Sequence, residues 1–248
     1  MYRIIADFHT HTRYSHGKGS IEDNVLAARR KGLEKIAITD HGFRHIRIGI
    51  KPNDVDKMRE EVQRLNDKYS DIEILLGIES NLIGLDGTID IPDEYIDKFD
   101  IILMGFHKGA MPKSFKDAFK LYAGNLVSGI LPIDKEKIRR QNTQAMIRAI
   151  EKYPIKIITH PGAKIDIDTK LLAQHAAKRN VALEINASHG FMTVEYVKIA
   201  LKEGAKFVIS SDAHHPSRVG DFKRAIDIAL AAGLNPEKII NARTAKLT

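Results

Sequence analysis

Short apolar runs alternate with amphipathic segments from one end of the chain to the other. Most of these runs are continuous rather than alternating, which is typical of parallel strands that are buried on both faces. The runs predicted as strands are Arg3–Phe8, Lys35–Thr39, Ile72–Ile78, Ile101–Phe106, Lys156–Thr159, Val181–Ile185 and Phe207–Ser210. The chain is therefore predicted to form a parallel sheet with helices in the connections.

The segments between the runs carry signals for helices. Ser20, with Asp23 three residues later, is a variant of the capping box that begins helices. Gly204 and Gly233 lie where glycines in a left-handed conformation end helices. One segment has an apolar stripe at helical spacing, which consists of Val55, Met58, Val62 and Leu65.

Seven strand–helix units without a break in composition predict one α/β domain that covers residues 1–248. A TIM-like (β/α) barrel, one unit short of the usual eight, accounts best for this order. An open doubly wound sheet is the alternative, although no Gly-rich phosphate-binding fingerprint supports it. Asp86-Gly87 predicts a small hairpin turn. The stretch from His107 to Asp134 is predicted to be a long loop with a helical turn or two near Phe115–Leu121.

Composition then narrows the chemistry. The chain has no cysteine, so any metal must be bound by His, Asp or Glu. The formal charge of +7 favours anionic ligands, but no aromatic-rich basic stretch points to nucleic acid, which is therefore not an expected partner. The apolar runs are too short to span a bilayer and no signal peptide is evident, so a cytoplasmic protein without a membrane partner is expected.

The placement of the 11 histidines carries most of the functional information. His9 and His11 follow the first predicted strand two residues apart, a spacing that puts both imidazoles on one side of an extended backbone. Asp212 and His214 repeat this spacing after the seventh strand. The other candidate ligands lie in the first loop or at the ends of the second to fifth strands, and they are His16, His41, Glu79, His107 and His160.

These nine side chains are expected to converge, because all strands of a parallel barrel end at the same rim. A single histidine is more often a satisfied polar residue than a ligand. Repeated placement at successive strand ends is not explained in that way, and it predicts a site for divalent metal ions. His189 follows the sixth strand and is a candidate substrate contact, whereas His175 is assigned to helix packing.

Four motifs resemble those of the PHP (polymerase and histidinol phosphatase) superfamily: Asp7-Phe8-His9-Thr10-His11, Thr39-Asp40-His41, His160-Pro161-Gly162 and Ser211-Asp212-Ala213-His214. Gly77-Ile78-Glu79 and Gly105-Phe106-His107 are similar to the small stand-alone phosphatase branch with three zinc ions. The resemblance extends over nearly the whole chain. It implies a distorted (β/α)7 barrel with the metal site at the C-terminal ends of the strands.

The resemblance also implies a division of the ligands. His9, His11, Glu79 and Asp212 would bind one metal ion. Glu79 would bridge to a second ion, which His107 and His160 also bind. A third ion would be bound by His16, His41 and His214. Zn²⁺ is the expected ion, and Mn²⁺ or Fe²⁺ would also suit such a site. The segment from Lys108 to Arg140 is longer than the branch predicts, so substrate preference does not transfer with the motifs.

The activity implied is the hydrolysis of small phosphate monoesters by a metal-activated water. Glu79 and Asp212 are the residues assigned to catalysis, the first as the bridging carboxylate and the second as a ligand that can also carry a proton. Asp7 and Asp40 are expected to orient imidazoles from behind. The basic residues near the motif loops, as candidate phosphate contacts, are Lys18, Arg44, Lys108 and Arg218.

Three other functions compete with this one. A PHP-type nuclease or phosphodiesterase would act on nucleotides or DNA ends and would have a basic groove beside the site. A metallo-amidohydrolase would also use a His-x-His barrel site, but no carbamylated lysine position is evident. A non-catalytic metal-binding module would have lost ligands, and none is lost here. The sequence leaves the oligomeric state open.

Overall fold

The structure, a computed structural model, describes residues 2–123, 125 and 134–244. Seven parallel strands form the main sheet in the order in which they occur along the chain, β2 to β8. The strands in the described residues are β1 Tyr2–Ile4, β2 Ala6–Asp7, β3 Lys35–Ile38, β4 Glu73–Asn81, β5 Ile101–Gly105, β6 Ile155–Ile158, β7 Ala182–Asn186, β8 Lys206–Ser210 and β9 Ala242–Thr244.

The two edges of this sheet meet beyond the ends of β2 and β8. Thr10 and Ala213 form a parallel bridge there, and the backbone N–H of His11 donates to the carbonyl of Ala213 at 2.8 Å. The sheet is thus a nearly closed, seven-stranded barrel with helices around it, and the predicted fold class is confirmed. The assignment of residues 1–248 to one domain stays a prediction.

Helices fill most connections. They are α1 Ile21–Arg30, α2 Pro52–Lys68, α3 Phe115–Asp117, α4 Lys135–Lys152, α5 Thr169–Arg179, α6 Val194–Lys202 and α7 Lys223–Ala231. Ser20 and Asp23 form the predicted capping box before α1. The predicted stripe on α2 is buried against the barrel. None of the helices in the described part of the chain is both long and apolar enough to cross a membrane.

The first predicted strand is wrong in its extent. Instead of one strand over Arg3–Phe8, β1 pairs antiparallel with β9 outside the barrel, and only β2 joins the main sheet. The Asn241 amide holds this break, because it donates to the carbonyls of Ala6 and Ile209, both at 2.7 Å. β9 carries no apolar alternation and is partly exposed, so the sequence offered no signal for it.

Two connections differ from a regular β/α unit. Between β4 and β5 the described chain forms the predicted hairpin contact, a Leu82–Ile89 bridge, and then a 3₁₀ helix over Asp93–Lys98 in place of an α-helix. After β5 the predicted long loop contains α3 and a π-helical stretch, Ala118–Ala123. Residues 124 and 126–133 of that loop lie outside the described residues.

The inward-facing side chains change character along the barrel. Near the N-terminal ends of the strands they form a small apolar cluster made of Ala37, Ile101, Leu103, Ile157, Ala182 and Val208. One or two inward positions further along, the residues are polar and buried, as in Ala182 followed by Glu184 on β7. Because inward positions recur every second residue, the polar ones form a ring at the C-terminal rim.

Candidate metal centre

The predicted ligands meet at this rim. His9, His11, Glu79, His107 and His160 are buried on the ends of different strands or directly after them. A cavity of about 350 Å³ opens above them, and its walls include seven of the predicted ligands, His16, His41, Glu79, His107, His160, Asp212 and His214. The structure therefore brings together residues that are as much as two hundred positions apart in the sequence.

Glu79 lies at the centre of the cluster. Its Oε1 atom is 3.0 Å from Nε2 of His160 and 3.4 Å from Nε2 of His9. Its Oε2 atom is 2.9 Å from Nδ1 of His41 and 3.8 Å from Nε2 of His11. His107 approaches Oε1 to 3.5 Å. One carboxylate thus contacts imidazoles from both sides, as a bridging ligand would.

Asp212 is the second central carboxylate. Its Oδ1 atom lies 3.3 Å from His11 and 3.6 Å from His9, both measured to Nε2. Its Oδ2 atom accepts a hydrogen bond from the Asn186 amide at 3.1 Å. Asp212 adopts a left-handed backbone with φ of 53°. Aspartate tolerates this conformation better than most residues, and strain of this kind is typical of functional sites.

The donor atoms fall into three groups within the described residues. In each group the ligand atoms lie within 4.8 Å of one another, and the groups are His9–His11–Asp212, His41–Glu79–His107 and His11–His41–His214. The first group agrees with the division implied by the resemblance. His41 differs, because it approaches Glu79 as well as the outer histidines. His16 joins no group by this distance, although its ring centre lies 4.2 Å from that of His214 and 4.9 Å from that of His41.

Several donor atoms fit metal ions because nothing else satisfies them. His11 Nδ1 and His160 Nδ1 are buried and have no hydrogen-bond partner, and His41 Nδ1 and Glu79 Oε2 lie 2.9 Å apart without the geometry of a good hydrogen bond. An unsatisfied buried polar atom costs about 1–3 kcal/mol, so such atoms rarely occur in a group without a ligand. The set contains only imidazole nitrogens and carboxylate oxygens, which suits zinc, manganese and iron.

Buried polar residues orient the imidazoles, a role that was not assigned to them from the sequence. Glu184 accepts a hydrogen bond from Nδ1 of His9 at 2.7 Å and another from the backbone N–H of His160 at 2.7 Å. Asn81 accepts from Nδ1 of His107, also at 2.7 Å. These contacts leave Nε2 of His9 and His107 directed at the cluster. A polar residue within an otherwise apolar strand was the available signal.

Asp7 and Asp40 were expected to orient imidazoles, and this prediction is wrong. Asp7 accepts hydrogen bonds from the backbone N–H groups of Ser211 and Gly220, at 3.1 and 3.0 Å, rather than from an imidazole. Asp40 accepts from the N–H and hydroxyl of Thr12 at 2.7 and 2.5 Å, and from the Ser15 hydroxyl. Both carboxylates therefore hold the loops that carry ligands, through backbone N–H groups and hydroxyls.

Electrostatics favour the metal-binding form of Glu79, His11 and His16, whereas neighbouring carboxylates raise the pKa of His9 and His160 against the effect of burial. Burial raises the pKa of a carboxylate, but the imidazoles of His107 and His9 hold the pKa of Glu79 well below its usual range. Burial lowers the pKa of His11 strongly, and the neighbouring His41 lowers it further. Burial and His214 lower the pKa of His16 to about 4. Glu79 is therefore anionic near neutral pH, while His11 and His16 are neutral, which is the state that binds metal.

Other polar groups surround the mouth of the cavity. Nε2 of His189 lies 3.4 Å from Oδ2 of Asp212, which places this histidine at the rim as expected. His45 and Lys164 also line the cavity. Lys164 was not among the residues singled out from the sequence, and it adopts a left-handed backbone with φ of 62°. His175 instead lies within α5, partly buried, with its Nδ1 atom 3.5 Å from Glu151 on α4.

Only two of the four basic residues named as phosphate contacts lie next to the metal cavity. Lys18 and Arg218 line a cavity that adjoins the metal cavity. Arg44 instead donates to the carbonyl of Pro112 at 3.2 Å. Lys108 is exposed, and neither it nor Arg44 lines the metal cavity within the described chain. Lys164 is the lysine that the structure places at the mouth.

Comparison with known proteins agrees with this architecture. Residues 7–209 match the model of the PHP domain family. A "probable phosphatase" from Shewanella frigidimarina (strain NCIMB 400) is 31% identical, and the match covers 96% of this chain and 89% of that protein. "Probable phosphatase YcdX" from Escherichia coli O1:K1 / APEC is 32% identical over 100% of this chain and 93% of its own length.

Solved structures extend the comparison to the fold. The crystal structure of histidinol phosphate phosphatase from Lactococcus lactis subsp. lactis Il1403, in complex with zinc, L-histidinol and phosphate, superposes with a TM-score of 0.62. The match covers 93% of this chain and 94% of that one, at 17% sequence identity. At this identity the likeness concerns the fold alone.

Proposed function

The chain belongs to the PHP domain family, and on that basis we propose that it is a phosphatase that hydrolyses small phosphate monoesters at a centre of divalent metal ions. The observation that carries the proposal is the cluster around Glu79, where imidazole nitrogens and carboxylate oxygens converge to within 4.8 Å of one another and several buried donor atoms lack a hydrogen-bond partner. The relatives named as phosphatases support the same reaction class.

We assign nine residues as metal ligands: His9, His11, His16, His41, Glu79, His107, His160, Asp212 and His214. Three ions, with zinc as the expected metal, would be held by these residues, and the three groups of donor atoms include seven of the nine. Glu79 belongs to one of these groups and would also bind the ion of the His9–His11–Asp212 group, because it lies 3.4 Å from Nε2 of His9 and 3.8 Å from Nε2 of His11. Divalent ions bound here would lower the pKa of a coordinated water from about 15.7 towards 7 and would offset the charge of a phosphate group.

The residues of the chain supply the remaining parts of the reaction. Glu79 and Asp212 fix the positions of the imidazoles, and no serine or cysteine nucleophile is required. Asp212 is also placed to pass a proton, because its Oδ2 atom and Nε2 of His189 lie 3.4 Å apart at the mouth of the cavity. Lys164 adds a positive charge at the same mouth, where a phosphate monoester would enter.

A substrate screen tests the proposal. Metal-replete protein is assayed with p-nitrophenyl phosphate, bis-p-nitrophenyl phosphate and a short oligonucleotide, beside a Glu79→Gln variant purified in the same way. The variant controls for contaminating phosphatases. We expect turnover of the monoester to exceed that of both diesters. Cleavage of the diester or the oligonucleotide in preference to the monoester would replace the proposal with the phosphodiesterase alternative.

A further inference from the structure

Two further cavities continue sideways from the metal cavity. The first, of about 570 Å³, shares His16, Asp212 and His214 with the metal cavity. The second is wider, at about 940 Å³, and shares Arg218 with the first. Ser188 lines all three. The larger of the two, here called the side groove, therefore adjoins the site where the phosphate would bind.

Most charges in the side groove are paired. Arg218 binds Asp221 at 2.7 Å, and Lys223 binds Asp227 at 2.8 Å. Arg224 is different, since no carboxylate of the described residues forms an ion pair with it. Its one hydrogen bond within the described part of the chain is a long one, from Nη1 to the carbonyl of Ser188 at 3.4 Å. A guanidinium has five N–H donors, so most of those on Arg224 remain available to a ligand.

Gly190 creates the space in which the Arg224 guanidinium lies. A methyl group added at Gly190 would overlap the Nη2 atom of Arg224 and would also contact its Cζ atom. The backbone φ of Gly190 is not in the left-handed region. The absence of a side chain at this position is therefore needed for the arginine and not for the turn. The remaining walls include the apolar residues Ala187, Val194 and Ile228.

We propose that the side groove binds the leaving-group part of the substrate and that Arg224 recognises a second anionic group on it, a carboxylate or a phosphate. This inference rests on the proposed phosphatase activity and narrows its substrate class. The apolar walls would contact the body of the leaving group, and the guanidinium would bind the anion through two parallel N–H bonds. The substrate would thus be a phosphate monoester with anions at both ends.

The test compares substrates that differ only at the far end. Alkanediol monophosphates of increasing chain length serve as the singly anionic series, and the matching bisphosphates and ω-carboxyalkyl phosphates carry the second anion. For the wild type we expect kcat/KM to be about 10- to 100-fold higher for the doubly anionic compounds at one preferred length. Arg224→Gln should remove this preference and leave turnover of p-nitrophenyl phosphate and the metal content unchanged.

A second variant moves the guanidinium without removing it. Gly190→Ala should reduce the preference in the same direction as Arg224→Gln, and the double variant should lose little more than either single one, because both act on one contact. Arg179→Gln is the matched control, since Arg179 is also exposed and donates to a backbone carbonyl, that of Glu151, at 3.3 Å. It should change neither series.

The possible outcomes distinguish failure of the proposed phosphatase function from failure of the inference about Arg224. Absence of any monoester turnover in the metal-replete wild type would refute the proposed function. Normal turnover of p-nitrophenyl phosphate without a preference for the second anion would refute the inference and leave the proposed function in place. A preference that survives in both Arg224→Gln and Gly190→Ala would also overturn it, because it would then come from the general positive field of the site. A preference for only one kind of anion identifies that anion.

Discussion

The inner and outer sides of the metal centre are built differently. On the inner side His9, His11 and Glu79 are fully buried. Glu184 binds the ring of His9, and the Thr159 hydroxyl donates to Oε1 of Glu79 at 2.8 Å. On the outer side His16 is exposed and the side chain of His214 is 37% exposed. The hydrogen bond of His214 is to the carbonyl of Asp212, at 2.9 Å from its Nδ1 atom, and its ring stacks on that of His11.

The difference follows from where each ligand lies in the chain. Glu79 is within the nine-residue strand β4, so hydrogen bonds on both sides fix its backbone. His16 lies in the loop before α1, which Asp40 holds through Thr12 and Ser15. Donors that are fixed before binding lose less entropy when a ligand binds. We therefore expect the inner ions to bind more tightly than the outer ion.

Replacement of Glu79 should have the largest effect. Glu79→Gln keeps the shape and removes the charge that separates two cations, so inner metal should be lost and turnover should fall at least about 10²-fold. Mass spectrometry of the native protein measures the metal content, and circular dichroism verifies the fold. Glu73→Gln, on the same strand but paired with Lys35 at the surface, is the matched control. A folded Glu79→Gln protein with all its metal and normal turnover would refute the bridging assignment.

Replacement of Glu184 should come next. Glu184→Gln keeps an acceptor for His9 but removes the charge behind it, and losses of about 10- to 100-fold in metal affinity or activity are typical of such partners. A competition titration with a chromophoric chelator measures the affinity of the inner sites. Glu195→Gln on the exposed face of α6 is the control. If affinity stayed at the wild-type level, the hydrogen bond to His9 would be only structural.

His16→Ala should have a smaller effect that is confined to the outer side. The variant should keep its inner ions and lose the outer one, with a smaller loss of turnover than Glu79→Gln. In the wild type, stepwise chelation should remove one ion before the others. His175→Ala, on α5 and away from the cluster, controls for the loss of an imidazole. Loss of all metal from His16→Ala would show that the two sides are not separable.

Asp40→Asn should have the smallest effect on turnover and act through the loop. Asp40 accepts hydrogen bonds from Thr12 and Ser15, so loss of its charge should cost about 1–3 kcal/mol of stability. The midpoint of thermal unfolding and the affinity of the outer site should fall together. Asp56→Asn, whose partner Lys98 lies at the surface, is the control. An unchanged outer affinity would mean that the loop needs no such support.

The sequence predicted the parts that depend on local pattern. Apolar runs located all seven barrel strands, and the two-residue spacing of His9 and His11 predicted that both side chains face the same site. The strand that pairs with β1 could not be predicted, because β9 lies at the far end of the chain and carries no apolar pattern.

The residues that orient the metal ligands were also not identified in this role from the sequence. Glu184 and Asn81 act on His9 and His107, and these pairs depend on the register between strands. Lys164 lines the cavity from a left-handed backbone conformation. Lysine rarely adopts this conformation, so nothing in the sequence indicated it. The ends of the strands could be predicted from the sequence. The contacts between strands across the barrel could be seen only in the folded structure.

Hydrolysis of phosphate monoesters at this centre is proposed to depend on bound metal. The most direct measurement follows metal content and p-nitrophenyl phosphate turnover in the same samples, before chelation, after removal of all metal and after stepwise return of Zn²⁺ or Mn²⁺. Turnover should vanish with the metal and return with it, while the fold measured by circular dichroism stays intact. Full turnover in well-washed, metal-free protein would contradict the account.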